Sequence, residues 1–435
     1  MRVPLDYGCQ RLELSVPRER VRAVVEPRRA EAVDDVGAAV RQAVAEPVAG
    51  PPLADVLAGA RRVLLLTVDH TRPSPRPLLE PLLEECDRAG AEATVCVAIG
   101  RHRAMTEAEL LRHLGRDILR RRRVVQHDPF DRQACRHLGT TRRGTEIRVN
   151  RIVFEHDRVL GVGTIEPSYL AGWSGGRKLL MPGVAWCESI DQNHALLADP
   201  ATRIGRLRGN PLSEDAEEFA AACPFHFICY ALAGPGDEVV GVVAGEPRQA
   251  HEHGCRRGQR IYRVEAPTAP IVVASPGGYP YDCDLVQAKK AVIPAIELVE
   301  PGGAVVLLGE CAEGLGAEET FVHWLRTKSP EQAVADARRR ELFSLGAHGA
   351  SLLARPIVEK DARVVLVTRP QVAGELEGSY LRAVSGLEAA WEVATRRCGE
   401  GAGVVVLRGA RRLIVRAARG RGGDSDGGGS RSEGF

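Results

Sequence analysis

Short, wholly apolar runs alternating with amphipathic stretches set the fold class of this chain. Residues 62–68 (RVLLLTV) and 93–99 (ATVCVAI) lack a polar alternation, so each reads as a strand buried on both faces, as in a parallel sheet. Between them Pro73, Pro75 and Pro77 forbid continued pairing, and residues 77–89 have the pattern of an amphipathic helix stopped by Gly90. Another helix is expected from about Glu107, where Thr106 and Glu109 have capping-box spacing. Helical patterns also cover residues 31–46 and 213–223. FHFICYAL, EVVGVVAG, PIVVAS, AVVLLGE (304–310), ARVVLVT (362–368) and AGVVVLRG read as further strands. A helix of about 16 residues is expected after the Gly277-Gly278 loop. The alternation predicts an α/β fold of two α/β domains with mainly parallel sheets, and 435 residues suffice for two cores. The expected division is 1–265 for an N-terminal domain and 266–410 for a C-terminal one, with residues 247–268 as a crossover. Residues 411–435, basic and glycine-rich, read as a disordered tail.

Composition excludes several function classes. A net charge of +2 and an aromatic content of 4% supply neither the basic track nor the stacking platforms of a nucleic-acid binder. No apolar run approaches the roughly 18–20 residues of a membrane span. MRVPLDYGCQRLEL lacks the charged-then-apolar order of an export signal, and the 11 cysteines show no Cys-x-x-Cys pair. A reduced, cytoplasmic protein is expected.

In parallel α/β sheets, ligands gather beyond the carboxyl ends of strands. Asp69, Arg72 and His102 follow two such ends. Residues 163–194 (GTIEPSYLAGWSGGRKLLMPGVAWCESIDQNH) hold a glycine-rich loop, Arg177-Lys178, a proline stop and His194. The lysine amine suits phosphate pairing or covalent attachment, and the imidazole suits nickel, zinc or copper. A P-loop is argued against by Leu179, which stands where a magnesium-binding Ser or Thr is required. A hydrolase nucleophile at Ser174 lacks the strand that should precede it. The remaining histidines, His113, His127 and His251 among them, read as structural or surface groups.

Five segments together resemble the nickel-pincer-nucleotide-dependent lactate racemase family, of which the chain is identified as a divergent member. They are DHTRPSP (69–75), IGRHRAMTEAE (99–109), EPSYLAGWSGGRKLLMPG (166–183), NHALL (193–197) and SPGGYPYDCDLVQAKKA (275–291). The resemblance implies an active site between two α/β domains and a mononucleotide cofactor, a pyridinium thioamide/thiocarboxylate carrying nickel. By its pattern, Lys178 tethers the cofactor and His194 is the protein's nickel ligand. Ser174, Gly175, Gly176 and Arg177 surround the nucleotide, with Arg177 on its phosphate. Asp69, Thr71 and Arg72 form the loop that contacts cofactor and substrate. His102 is an acid/base histidine, and Gln287 and Lys290 hold the substrate's carboxylate and oxygen. The implied partners are a small 2-hydroxy carboxylate and the enzymes that build the cofactor. The implied reaction is racemisation by proton-coupled hydride transfer to the cofactor and back.

Two positions depart from the family pattern. Ser168 stands where a second acid/base histidine is expected, and a serine hydroxyl does not titrate near neutral pH. Val286 stands where tyrosine is common, which widens and dries the pocket. Both argue against lactate itself as the substrate. Three readings follow: a racemase or epimerase of another 2-hydroxy acid, a one-sided redox transformation using His102 alone, and a cofactor-bearing protein without catalysis. Retention of Arg72, Gln287 and Lys290 favours the first.

Overall fold

The computed structural model describes residues 1–316, 318–339 and 346–418. The chain divides into two compact units, one of residues 29–196 and 200–261, the other of 1–28, 197–199 and 262 onward.

The first unit is built on a six-stranded sheet. The chain enters it with Arg62–Thr67, adds Glu92–Val97 and Arg123–Gln126 on one side, then crosses over. Arg158–Ile165 and Phe227–Ala233 extend the other side in parallel, and Val239–Gly245 closes the edge as an antiparallel hairpin. The apolar runs become strands because both faces are covered: Val63, Leu64, Leu65 and Leu66 are all fully buried. Helices Val36–Ala45 and Arg76–Arg88 join one face, with Leu79, Leu82 and Val40 in its core. The direction of winding reverses between Arg62–Thr67 and Arg158–Ile165. That switch point opens a crevice at the carboxyl ends of the two strands.

The second unit carries another six-stranded sheet, entirely parallel, in the order Arg382–Val384, Arg363–Val367, Val299–Leu308, Ala269–Ala274, Val404–Leu407, Val21–Val25. Its core is continuous from Val272 and Leu307 to Phe321 and Leu353.

Four sequence expectations change. Residues 1–28, assigned above to the N-terminal domain, belong with the C-terminal unit, because Val21–Val25 completes its sheet against Val404–Leu407. Their alternating, half-exposed pattern carries no signal of which sheet they join. The 247–268 segment is mostly the helix Pro247–Tyr262, whose charged residues mask its periodicity. The helix expected after Gly277-Gly278 is broken into Leu285–Ala288, a 3-10 turn Lys289–Ala291 and Val292–Leu298. Finally, Ile414–Ala417 pairs in parallel with Arg263–Ala266, so the tail does not begin at 411; residues 419–435 lie outside the described residues. The capping box at Thr106 and Glu109 is present as expected.

Deleting residues 1–28 removes the edge strand of the second sheet. Hydrogen exchange should then show amides of Val404–Leu407 losing protection by about tenfold or more, with Arg62–Thr67 unaffected. Equal protection of Val404–Leu407 in both proteins would contradict the assignment.

Candidate functional site

The crevice of the first unit gathers the chemistry. The loop leaving Thr67 places Asp69, 3% exposed, beneath it. Asp69 Oδ1 accepts from the Thr71 amide (3.0 Å) and hydroxyl (2.6 Å), and Oδ2 accepts from His102 Nδ1 at 2.6 Å. Burial pushes the Asp69 carboxyl up, but His102, Thr71 and Arg72 together hold it well below the usual carboxylate range. His102 arrives from the loop after the next strand, Glu92–Val97. With Nδ1–H committed to the carboxylate, the neutral ring keeps the Nε2 lone pair for a proton. His113 supports the loop from behind, its Nε2 donating to the Val68 carbonyl at 3.0 Å.

Across the switch point, Ile165 leads into Glu166, which is buried and ion-paired through Oε1 to Arg72 Nε at 3.3 Å. Arg72 Nη1 also donates to the Thr71 carbonyl at 2.9 Å, so the arginine is positioned by both sides of the crevice. Ser168 lies in a two-residue ribbon paired with Gly172, and Lys178 Nζ donates to its Oγ at 3.4 Å.

The glycine-rich loop is shaped from the protein side. Gly176 has φ of +54°, and a Cβ there would sit 2.7 Å from the His251 ring. Ser174 Oγ donates to the Thr164 and Glu166 carbonyls and accepts from the Glu166 amide at 3.0 Å, so it is a loop brace rather than a nucleophile. Arg177 is buried and donates to the Ala171 carbonyl (3.0 Å), Ser213 Oγ (2.7 Å) and His251 Nδ1 (3.3 Å), with Glu217 3.7 Å from Nε. Through these contacts the guanidinium ties the loop to helix Pro211–Ala221. His251 Nε2 lies 2.8 Å from the Ser174 carbonyl, which can only accept, so Nε2 carries the proton and Nδ1 is free to receive Arg177. Burial and Arg177 push the His251 imidazole down to about 3. Sequence reading left this residue among structural histidines, and nothing in the polar helix around it marks the contact.

Lys178 and His194 complete the unit's site. Burial, then Arg72 and Arg177, pushes the Lys178 amine from 10.5 down to about 7, against an opposing pull from Glu166. His194 ends the helix Cys187–His194, is buried, and is pushed down to about 3 by burial and by Lys178. Its Nδ1 meets no hydrogen-bond partner among the described residues, although the Ile190 carbonyl one turn back offers a weak opposing pull. The preceding Asn193 is fixed by donation to Asp215 Oδ2 (2.8 Å) and the Leu212 carbonyl (3.1 Å), while Thr141 and Thr145 hold the same buried carboxylate. These anchors come from residues remote in sequence, and no local pattern announces them.

In the second unit, Asp284 Oδ1 caps the helix by accepting from the Gln287 amide at 2.7 Å, and Lys290 Nζ donates to Gln287 Oε1. Lys289 is fully buried and donates to the Val286 carbonyl at 2.8 Å. Val286 packs beside Gly316, where a Cβ would come within 2.6 Å of it.

Comparison with known proteins identifies the family. Residues 7–205 match the lactate racemase N-terminal domain and residues 264–415 the lactate racemase C-terminal domain. The chain belongs to the lactate racemase family. It is 29% identical over 379 residues to the lactate racemase of Thermoanaerobacterium thermosaccharolyticum, covering 84% of this chain and 88% of that one. It is 27% identical over 386 residues to that of Lactiplantibacillus plantarum, covering 87% and 90%. The T. thermosaccharolyticum lactate racemase apoprotein structure superposes with a TM-score of 0.88 at 28% identity, over 96% of this chain and 100% of that one. A protein from Thermotoga maritima shares the fold at a TM-score of 0.68 and 17% identity, over 89% and 100% of the two chains. The family is one of isomerases, and no helix among the described residues is long and apolar enough to cross a membrane.

The depressed Lys178 value has a signed consequence for protein free of cofactor. Between about 7 and 10.5 the unfolded chain binds a proton there that the folded chain does not, so this residue makes stability rise with pH across that window. Lys178→Met should flatten that rise and stabilise the protein at pH 7, as read by urea unfolding at pH 7 and pH 9. A variant with the parent's slope would place the amine in water.

Proposed function

We propose that this chain is a racemase or epimerase of a small 2-hydroxy carboxylic acid, with Lys178 and His194 holding a nickel-pincer nucleotide. The observation that carries the reading is the pairing of a buried, neutral-leaning amine with a buried, neutral imidazole whose Nδ1 meets no hydrogen-bond partner among the described residues. Neutral nitrogen is the form required both for acylation of a lysine and for ligation of a divalent metal. Among the described residues no group of three or more His, Cys, Asp or Glu side chains could cage a metal. His194 would supply the protein's ligand to a metal carried by the cofactor. When bound, that cofactor supplies a reversible acceptor for the substrate's α-hydrogen as hydride.

The chain's own groups do the rest. His102 takes the hydroxyl proton at Nε2 while Asp69 stabilises the imidazolium that forms. Arg72, held by Glu166, orients the carboxylate. With hydride returned to carbon by the bound cofactor, His102 would return the proton to the substrate oxygen. Ser168 supports a second reading, a cofactor-bearing protein without turnover, because it leaves one of the two faces without a titrating side chain.

Protein matured with the cofactor-building enzymes should invert chiral 2-hydroxy acids in D₂O without exchanging the α-hydrogen. Asp69→Asn should lower the rate by roughly 10²-fold, since the amide no longer balances the imidazolium. Inertness across a panel of 2-hydroxy acids favours the carrier reading, and solvent exchange at the α-carbon excludes the hydride route.

A further inference from the structure

The second unit holds a cavity of about 560 Å³, within the range of small-molecule pockets, that none of the chemistry above uses. It lies at the amino ends of Arg363–Val367 and Arg382–Val384, walled by the loop from Leu376 to Leu381. The segment carrying Gln287 and Lys290 follows the carboxyl end of Ala269–Ala274. In this parallel sheet the cavity is therefore at the opposite end. The loop is set by its own contacts: the Tyr380 hydroxyl donates to the Ala350 carbonyl at 2.6 Å, and Ser379 Oγ accepts from the Leu381 amide at 3.2 Å.

Three arginines border the cavity, and strand register orients two of them. Arg363 shares a face with Val365, two residues on, and Val365 lies beside Arg382 on the neighbouring strand. The two side chains leave that face from Cα atoms about 8 Å apart, close enough for both guanidinium forks to meet one anion. Arg397 follows Ala394 by three residues on the helix Leu387–Cys398, whose Ala390 and Ala394 pack in one core with Val365. It donates to the Gly302 carbonyl (3.1 Å) and to Asp361 Oδ2 (2.7 Å), so Asp361 is already neutralised. Arg363 and Arg382 make no hydrogen bond or ion pair among the described residues, and Glu377, the cavity's other carboxylate, pairs with neither. Like charges that share a face of a strand pair repel. A charge can guard an edge strand such as Arg382–Val384 against further pairing, but Arg363 begins an interior strand and has no such use.

We propose that this cavity binds a phosphate monoester, its dianion gripped by Arg363 and Arg382 and its organic part laid on Ile357 and Leu376. The site stands apart from the racemase reading and from its crevice in the first unit. The full chain is titrated calorimetrically with phenyl phosphate and with inorganic phosphate at constant ionic strength, and hydrogen exchange locates the binding. Phenyl phosphate should saturate and slow exchange of amides within residues 376–384. Arg363→Gln and Arg382→Gln should each weaken it at least about tenfold, while Arg396→Gln, which alters an exposed arginine of the same helix as Arg397, should leave it unchanged. Absence of saturable binding overturns the proposal, as does affinity unaltered in the two variants. Protection confined to the loops of Asp69 and Lys178 also overturns it, since the anion would then lie in the first unit. Inorganic phosphate binding as tightly as the ester overturns the ester as occupant in favour of free phosphate.

Discussion

A dehydrated amine beside a dehydrated imidazole is the constraint on which this structure turns. Each group loses its charge preference through burial; the lysine lowers the imidazole's affinity for a proton, and Arg72 and Arg177 lower the lysine's. Groups so placed destabilise a chain that has no use for them. They stay in place because the loop that carries Lys178 cannot relax: Arg177 ties it to Ser213 and His251, and Ser174 stitches it to the strand end at Thr164 and Glu166. The helix bearing His194 is fixed just as firmly, through Asn193 and the Asp215 network. Structural polar groups on the protein side thus hold functional ones on the crevice side.

The location follows from the winding of the sheet. Reversal of direction between Arg62–Thr67 and Arg158–Ile165 leaves their carboxyl ends uncovered by crossover helices, and the loops that leave those ends carry Asp69, Arg72, Glu166 and Ser168. The neighbouring strand Glu92–Val97 delivers His102 to Asp69. One ion pair, Arg72 with Glu166, links the two sides of the switch. Three loops remote in sequence thereby meet without any long excursion of the chain.

How much of this was legible in the sequence depends on the range of the interaction. RVLLLTV and ATVCVAI announced their strands because burial on both faces leaves a continuous apolar run, and Thr106 with Glu109 announced a helix start because the cap is local. Asp69, Arg72 and His102 were readable as site candidates from their places after strands. The membership of residues 1–28 was not readable, since a half-exposed edge strand has no signature of its partner. Nor were the contacts of Arg177, whose Nη1 and Nη2 donate to the distant His251 and Ser213.

The amine and the imidazole are held by their structural supports, and His102 is held by Asp69. The central claim is that this amine and imidazole anchor an organometallic cofactor. Intact-protein mass with metal analysis, on protein produced together with the cofactor-building enzymes, tests it most directly. The account predicts one adduct per chain mapping to Lys178 and one nickel that is lost on His194→Ala. An unmodified mass with no nickel from that same preparation would contradict it.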